Sequence, residues 1–263
     1  MLIAEVYTDY GTFGKQVDVA VDRIKTLAGT NPYLAFSGGK DSVVLKALAD
    51  LAGVDYDAHY HVCGGVDMPE AIAYTHKHHP GVVFDKPAVS MRQLCLQDNY
   101  LIPPTHVARF CCQAFKEVHG DGRIILQGVR WAESEKRKDR RLVERCMSGR
   151  DAVFVNPIID WSDKDVWRFI HENNLPFCSV YLEGWDRVGC VMCPQKDGKQ
   201  MRRDARRWPR IAKYWMSIFE DLWHARVAAG KSVKQASPQE WFEYWCRDRH
   251  GKTDDTGVLD ATT

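Results

Sequence analysis

One run of ten residues, Tyr33-Leu-Ala-Phe-Ser-Gly-Gly-Lys-Asp-Ser42, constrains the fold more than any other part of the chain. Tyr33 to Phe36 reads as a short buried strand. Val43-Val-Leu-Lys-Ala-Leu-Ala-Asp-Leu51 reads as a helix. Between them the chain must turn at Ser37, Gly38, Gly39, Lys40, Asp41 and Ser42. Adjacent glycines let the backbone bend tightly and bring its N–H groups close to an anion. The helix behind the turn points its positive end at the same place. Lys40 adds a full charge, and the Ser37 and Ser42 hydroxyls add donors. The expectation is a phosphate cradle. It differs from the G-x-x-x-x-G-K-[ST] loop because its glycines are adjacent. Asp41 has two readings of equal weight, contact with Mg²⁺ or a cap on the helix.

Around the cradle, strands alternate with helices. Apolar positions at Val17, Ala20, Val21, Ile24, Leu27 and Ala28 have helical spacing. Further strands are expected at Asp57–Val62, Val82–Phe84 and Arg123–Gln127, with helices around Met91–Gln97 and Cys112–Val118. That alternation predicts α/β architecture, a doubly wound, mostly parallel sheet. Ligands of such sheets sit beyond the carboxyl ends of the strands. The cradle, the 63–70 loop carrying Asp67, and the loop after Gly128 all fall at such ends. Asp67 is a second candidate for Mg²⁺. Ser162 and Asp165 have the spacing of a helix-capping pair. A division is expected near residue 195. Residues 1–195 would form the nucleotide-binding domain and 196–263 a helical, basic extension, with a mobile tail after His250.

Bulk properties narrow the class. The chain has 263 residues with a formal net charge of +1, so no global field points to a polyanion partner. No apolar run approaches the roughly 20 residues that span a bilayer. The N-terminus lacks a basic signal-peptide start, so a cytoplasmic location is expected. Nine cysteines in such a chain point to metal binding or catalysis rather than a disulfide framework. Cys111-Cys112 are adjacent, and Cys190-Val-Met-Cys193 is a C-x-x-C. Two distant pairs can close one tetrahedral or cuboidal metal site. Adjacent helical residues diverge by about 100°, which suits a broad cluster better than one small ion. An iron–sulfur site, a structural zinc and unligated thiols are the three readings. The other cysteines read as small buried hydrophobes. Cys63 is the exception, because its loop lies at the active end.

Two stretches are strongly basic. Gly128-Val-Arg130 is followed by Glu133, Ser134 and Arg137. At a strand's end, Arg130 would face the anionic tail of a nucleotide, and arginine suits forked contact with phosphate or sulfate. Lys196, Lys199, Arg202, Arg203, Arg206, Arg207, Arg210 and Lys213 are interleaved with Trp208, Tyr214 and Trp215. They read either as an amphipathic helix with an aromatic core side or as a nucleic-acid or partner surface whose aromatics stack on bases.

The Ser37–Ser42 run resembles the PP-loop of ATP pyrophosphatases and of adenylyl-sulfate and phosphoadenylyl-sulfate reductases, letter for letter. Cys111-Cys112…Cys190-x-x-Cys193, with Lys116, resembles the [4Fe–4S] site of assimilatory adenylyl-sulfate reductases. Gly128 to Arg137 resembles the G-[IV]-R-x-x-E-S-x-x-R motif of the same superfamily. The resemblance covers about residues 30–195 and implies an adenine nucleotide alpha hydrolase-like fold. It further implies an adenine nucleotide, ATP or adenylyl sulfate, in the cradle and sulfur chemistry beside a [4Fe–4S] cluster. Lys40, Asp41, Arg130 and Arg137 would be catalytic, and Cys111, Cys112, Cys190 and Cys193 would be ligands. Adenylyl-sulfate reductases carry a C-terminal Glu-Cys-Gly-x-His segment that this sequence lacks. Its nearest substitute is Cys246, with Arg247 and His250 placed to lower a thiol pKa. An ATP-dependent sulfurtransferase using Mg²⁺ is therefore expected, with nucleic acid as an allowed acceptor. A cysteine desulfurase or thioredoxin-like protein would be the sulfur donor. A thiol-dependent reductase and a non-catalytic iron–sulfur binding protein are the alternatives, and an oligomer is allowed.

Overall fold

The computed structural model describes residues 2–146 and 151–247, with the backbone alone over 2–12. The tail expected to be mobile, and His250 with it, lie outside the described residues. The elements run α1 (Leu2–Leu27), β1 (Tyr33–Phe36), α2 (Lys40–Ala52), β2 (Asp57–His61), α3 (Pro69–His78), β3 (Val83–Asp85), α4 (Met91–Cys95), α5 (Phe110–Phe115) and β4 (Ile124–Leu126). They continue with β5 (Val143–Arg145), β6 (Val153–Val155), α6 (Asp163–Glu172), α7 (Gly198–Arg207), α8 (Pro209–Ala228) and α9 (Pro238–Trp245). Among the described residues, no helix is long and apolar enough to cross a membrane.

The chain forms two compact units that interleave in sequence. The first comprises Met1–His61, Pro69–Asp85 and His119–Val188, and the second Val62–Met68, Lys86–Val118 and Gly189–Thr263. The segment expected as an extension after residue 195 falls in the second unit. The second unit also takes two earlier segments, including both cysteines of the adjacent pair.

The first unit holds a six-stranded sheet of order β3-β2-β1-β4-β6-β5. β1 pairs in parallel with β2 and β4, β2 with β3, and β4 with β6. Among the described strands only β5 runs antiparallel, against β6. The order reverses between β1 and β4, and that switch point is where such sheets bind ligands. The alternation of apolar strands and helices thus produced the expected doubly wound sheet. Leu34, Val44, Leu45, Leu48 and Ala49 are fully buried, so β1 and α2 lock the cradle to the core. Gly53 ends α2 at φ 66°, a left-handed conformation that glycine adopts without Cβ strain. Ser162 caps α6 reciprocally with Asp165, as the spacing predicts. β5 and β6 escape the sequence reading. Each has three residues, and Val143-Glu-Arg145 sits in a strongly charged run.

The second unit is helical. Trp208, Trp215, Phe219, Phe242 and Trp245 are buried in its core. The Trp215 and Trp245 ring centroids are 4.8 Å apart, and Trp245 Nε1 donates to the Pro104 carbonyl at 2.7 Å. Lys199, Arg206, Arg207, Arg210 and Lys213 lie on the exposed side. The two tryptophans of the basic stretch therefore cannot stack on bases. They are the apolar side of an amphipathic pair of helices.

Candidate functional site

At the end of β1 the backbone turns through Ser37 and Gly38. Gly38 has φ 71°, and a Cβ there would lie 3.0 Å from Thr75 Oγ1. Only glycine meets both demands cheaply. Gly39 occupies the N-cap of α2 with no side-chain cap bond. Asp41 is thus a first-turn residue and not a cap. Ser42 Oγ donates to the Gly39 carbonyl at 2.8 Å and accepts from Ser37 N–H at 3.2 Å, holding the turn shut. Ser37 Oγ lies 3.3 Å from Ser42 Oγ. The Tyr181 hydroxyl accepts from Lys40 N–H at 2.9 Å, so one donor of the cradle is already engaged.

Lys40 is 7% exposed. Its ammonium lies 3.5 Å from Asp41 Oδ2 and 3.4 Å from Asp163 Oδ1, and reaches the Asp186 carbonyl at 3.5 Å. Arg130 binds the same two carboxylates. It donates from Nε to Asp41 Oδ1 at 2.7 Å, from Nη2 to Asp163 Oδ1 at 2.6 Å and from Nη1 to the Trp161 carbonyl at 3.1 Å. Arg130 has no exposed surface. Sequence alone places it against an anionic ligand. In the structure it clamps the two carboxylates beside Lys40. Burial raises the Asp163 carboxyl, but Arg130 and Lys40 outweigh it and hold the group below its ordinary value.

Gly128 supports this arrangement by absence of a side chain. A Cβ there would stand 2.9 Å from the Asp41 carbonyl oxygen, a contact with backbone that cannot yield easily. Glu133 Oε1 accepts from Arg130 N–H at 3.0 Å and lies 3.4 Å from Arg137 Nη1. Burial lowers the Arg137 pKa and Glu133 opposes it, while Arg187 and Arg140 add like charge. Asp41 joins Glu133 in offsetting that like charge. Asp163 and Tyr181 carry no functional signal in the sequence. Asp163 reads there as part of a helix start, and no local spacing marks a tyrosine below the cradle.

The second unit gathers a separate constellation. Cys111 and Cys112 lie on α5, Cys190 and Cys193 on the loop before α7, and Cys63 on the loop after β2. Cys190 and Asp67 form an antiparallel bridge, and Asp67 Oδ2 accepts from Cys63 N–H at 2.7 Å. Asp67, expected at Mg²⁺, here braces the cysteine loops. The Cys63 thiol hydrogen-bonds to Cys190, which raises Cys63 and lowers Cys190. Cys111 stands in the same relation to Cys112, with Arg109 Nη2 3.7 Å from the Cys112 sulfur. Cys111 also feels the charges of Cys190 and Cys193, so the four thiols share one electrostatic site. Cys190 and Cys63, with Cys112 and Cys193, raise the pKa of Lys116, which adds its positive charge to the site. Buried Asp204 accepts from Met192 N–H at 2.8 Å and from the Lys196 ammonium, fixing the Cys190–Cys193 turn.

Cys246 is 2% exposed, and burial pushes its thiol up to about 12. Of the two cations expected to lower it, His250 lies outside the described residues. Arg202 lowers it, but desolvation dominates.

A mostly parallel sheet with a glycine turn at its switch point, and a buried lysine held by paired carboxylates beside that turn, make up a doubly wound α/β fold with its polar cluster where such sheets bind ligands. Residues 31–196 match the model of the phosphoadenosine phosphosulfate reductase domain, and the chain belongs to that family. It is 27% identical over 207 residues to an uncharacterized protein of Methanocaldococcus jannaschii, covering 72% of this chain and 41% of that one. It is 36% identical over 107 residues to the adenosine 5'-phosphosulfate reductase of Neisseria meningitidis, covering 38% and 43%. The chain thus spans less than half the length of these two relatives. The phosphoadenylyl-sulfate reductase of Candida auris superposes with a TM-score of 0.47 at 16% identity, covering 66% of this chain and 87% of that one.

Proposed function

We propose that the protein is an ATP-dependent sulfurtransferase that adenylates an acceptor oxygen and replaces it with sulfur. The observation that carries this reading is the convergence of Asp41 and Asp163 on Lys40, with Arg130 clamping both. Two oriented carboxylates beside a phosphate loop are what a hard cation such as Mg²⁺ requires on a nucleoside triphosphate. The cradle N–H groups and Lys40 would hold the phosphates. Arg137 would meet charge that develops as the acceptor oxygen attacks the α-phosphorus and pyrophosphate leaves. A sulfur nucleophile at the hydrosulfide level then displaces AMP.

Cys111, Cys112, Cys190 and Cys193 are the residues that would hold a [4Fe–4S] cluster. Their thiols share one electrostatic site with Arg109 and Lys116 beside it, a donor set that suits thiolate-ligated iron. When bound, the cluster would supply thiolate-ligated iron able to hold or polarise sulfur. Arg109 and Lys116 would balance its negative charge. The exposed basic face of α7 and the start of α8 is the surface that would meet a nucleic-acid acceptor.

The names of the relatives favour a second reading, reduction of adenylyl sulfate. Anaerobically purified protein separates the two. Pyrophosphate release from ATP, dependent on Mg²⁺ and lost in Lys40→Ala, supports the sulfurtransferase. Sulfite release from adenylyl sulfate with thiol, and no pyrophosphate from ATP, overturns it. Neither product under any condition leaves a binding protein.

A further inference from the structure

We propose that His61, Asp85 and His119 form a binding site for a divalent transition-metal ion, separate from the cysteine set. All three belong to the first unit. His61 ends β2, Asp85 ends β3, and the two are register partners at the carboxyl edge of the sheet. His119 precedes β4. Their donor atoms lie within 4.8 Å of one another. His61 Nε2 is 3.5 Å and His119 Nδ1 3.9 Å from Asp85 Oδ2, and the two imidazole centroids are 4.6 Å apart. An ion bound at roughly 2.1 Å by each ligand needs donors about 3.4 Å apart in tetrahedral geometry. Small side-chain adjustments bring the three atoms to that spacing.

The surroundings fit ligation better than ordinary packing. Half-covered strands place apolar residues on their inner face. In β2 the apolar Ala58 and Tyr60 take the buried face, and His59 and His61 share the other face with Asp85 of β3, their side chains 13 to 17% exposed. One carboxylate neutralises one imidazolium, yet three imidazoles surround Asp85. His59 Nδ1 lies 3.0 Å from Asp85 Oδ2, and the Tyr33 hydroxyl donates to Oδ2 at 2.8 Å. Tyr33 also hydrogen-bonds to His61 Nε2 and stacks on His59 with centroids 4.3 Å apart. His59, which also reaches Asp85 Oδ1 at 3.1 Å, is the outer partner that orients the carboxylate, whereas Tyr33 meets the donor atoms themselves. Two imidazoles and a carboxylate suit zinc, cobalt or iron(II), whereas the thiolates of the other unit take softer chemistry. Three protein ligands leave a coordination position open to water or to an oxygen ligand. The Tyr33 hydroxyl, in contact with both His61 and Asp85, is placed to fill it.

Cobalt(II) is the probe, added to the full chain with its cysteine set already loaded. Equilibrium dialysis should give one additional Co²⁺ per chain, and X-ray absorption should show nitrogen and oxygen neighbours without sulfur. His119→Ala, at the most exposed ligand, should abolish that ion while leaving the fold intact by circular dichroism. His59→Ala should weaken it by about tenfold or more. No additional Co²⁺, sulfur-only coordination, or an N/O-bound ion that survives in both His119→Ala and His61→Ala overturns the proposal. In those cases the cluster is only a hydrogen-bonded network.

Discussion

Arg130 and Asp41 are joined across 89 residues by a 2.7 Å hydrogen bond from Nε to Oδ1. The guanidinium then spends Nη2 on Asp163 and Nη1 on a main-chain carbonyl. A buried arginine thus fixes both carboxylates that face Lys40. Replacing it by methionine leaves Lys40 as the remaining cation beside the two carboxylates. Arg130→Met should cost about 3 kcal/mol in urea unfolding. Arg130→Lys keeps the charge but not the fork, so it should preserve more stability while weakening ATP binding at least about tenfold. Equal ATP affinity in the lysine variant would show that the clamp is not needed.

Gly128 lies against the first turn of α2 with no room for a methyl group. Gly128→Ala must push Asp41 and the loop backbone apart. About 1–3 kcal/mol of destabilisation is expected, with nucleotide affinity falling in parallel. Gly81, where a Cβ would meet nothing within 4 Å, is the control. Thermal melts with and without ATP make the comparison.

Asp204 is buried and holds the Cys190–Cys193 turn through Met192 N–H and Lys196. Asp204→Asn removes the charge and leaves the ammonium poorly paired. The second unit should lose about 2–4 kcal/mol, and metal affinity of the cysteine set should drop about 10–100-fold. Chelator competition measures the second effect independently of folding.

Cys246 is the test of reductase chemistry within this chain. Its thiol is in the core and protonated at neutral pH. Cys246→Ala should lower stability by about 1–2 kcal/mol and leave pyrophosphate release unchanged. Loss of turnover in a folded Cys246→Ala protein would count for the thiol-dependent reductase.

His79 supplies a pH signature. Burial lowers its pKa from 6.5 to about 4, with Lys46 and His78 adding to the effect. Its ring packs on Phe36 at 4.7 Å and its Nε2 is 2.9 Å from the Tyr74 hydroxyl. The folded pKa is below the unfolded one, so the unfolded state takes up the proton first. The contribution is complete above about pH 6.5 and declines as pH falls towards 4. His79→Gln should flatten the stability profile over that window in chemical denaturation at stepped pH.

Local rules made a good part of this protein legible in its amino-acid sequence. The strand–turn–helix at Tyr33–Leu51, the alternation behind the parallel sheet and the Ser162–Asp165 cap all depend on neighbours a few residues apart. The paired cysteines were visible as spacing alone. Contacts between distant segments decided the rest. Sheet order brought Arg130 to Asp41 and paired His61 with Asp85. Tyr181 reached the Lys40 N–H across 141 residues, and Cys63 came to Cys190. Helix packing turned Trp208 and Trp215 inward from a stretch that reads as basic and aromatic. Backbone propensity and periodicity act along the chain, so sequence reveals them. Charge clamps, buried thiols and metal-ligand geometry depend on which distant side chains the fold makes neighbours, and only the tertiary structure decides that.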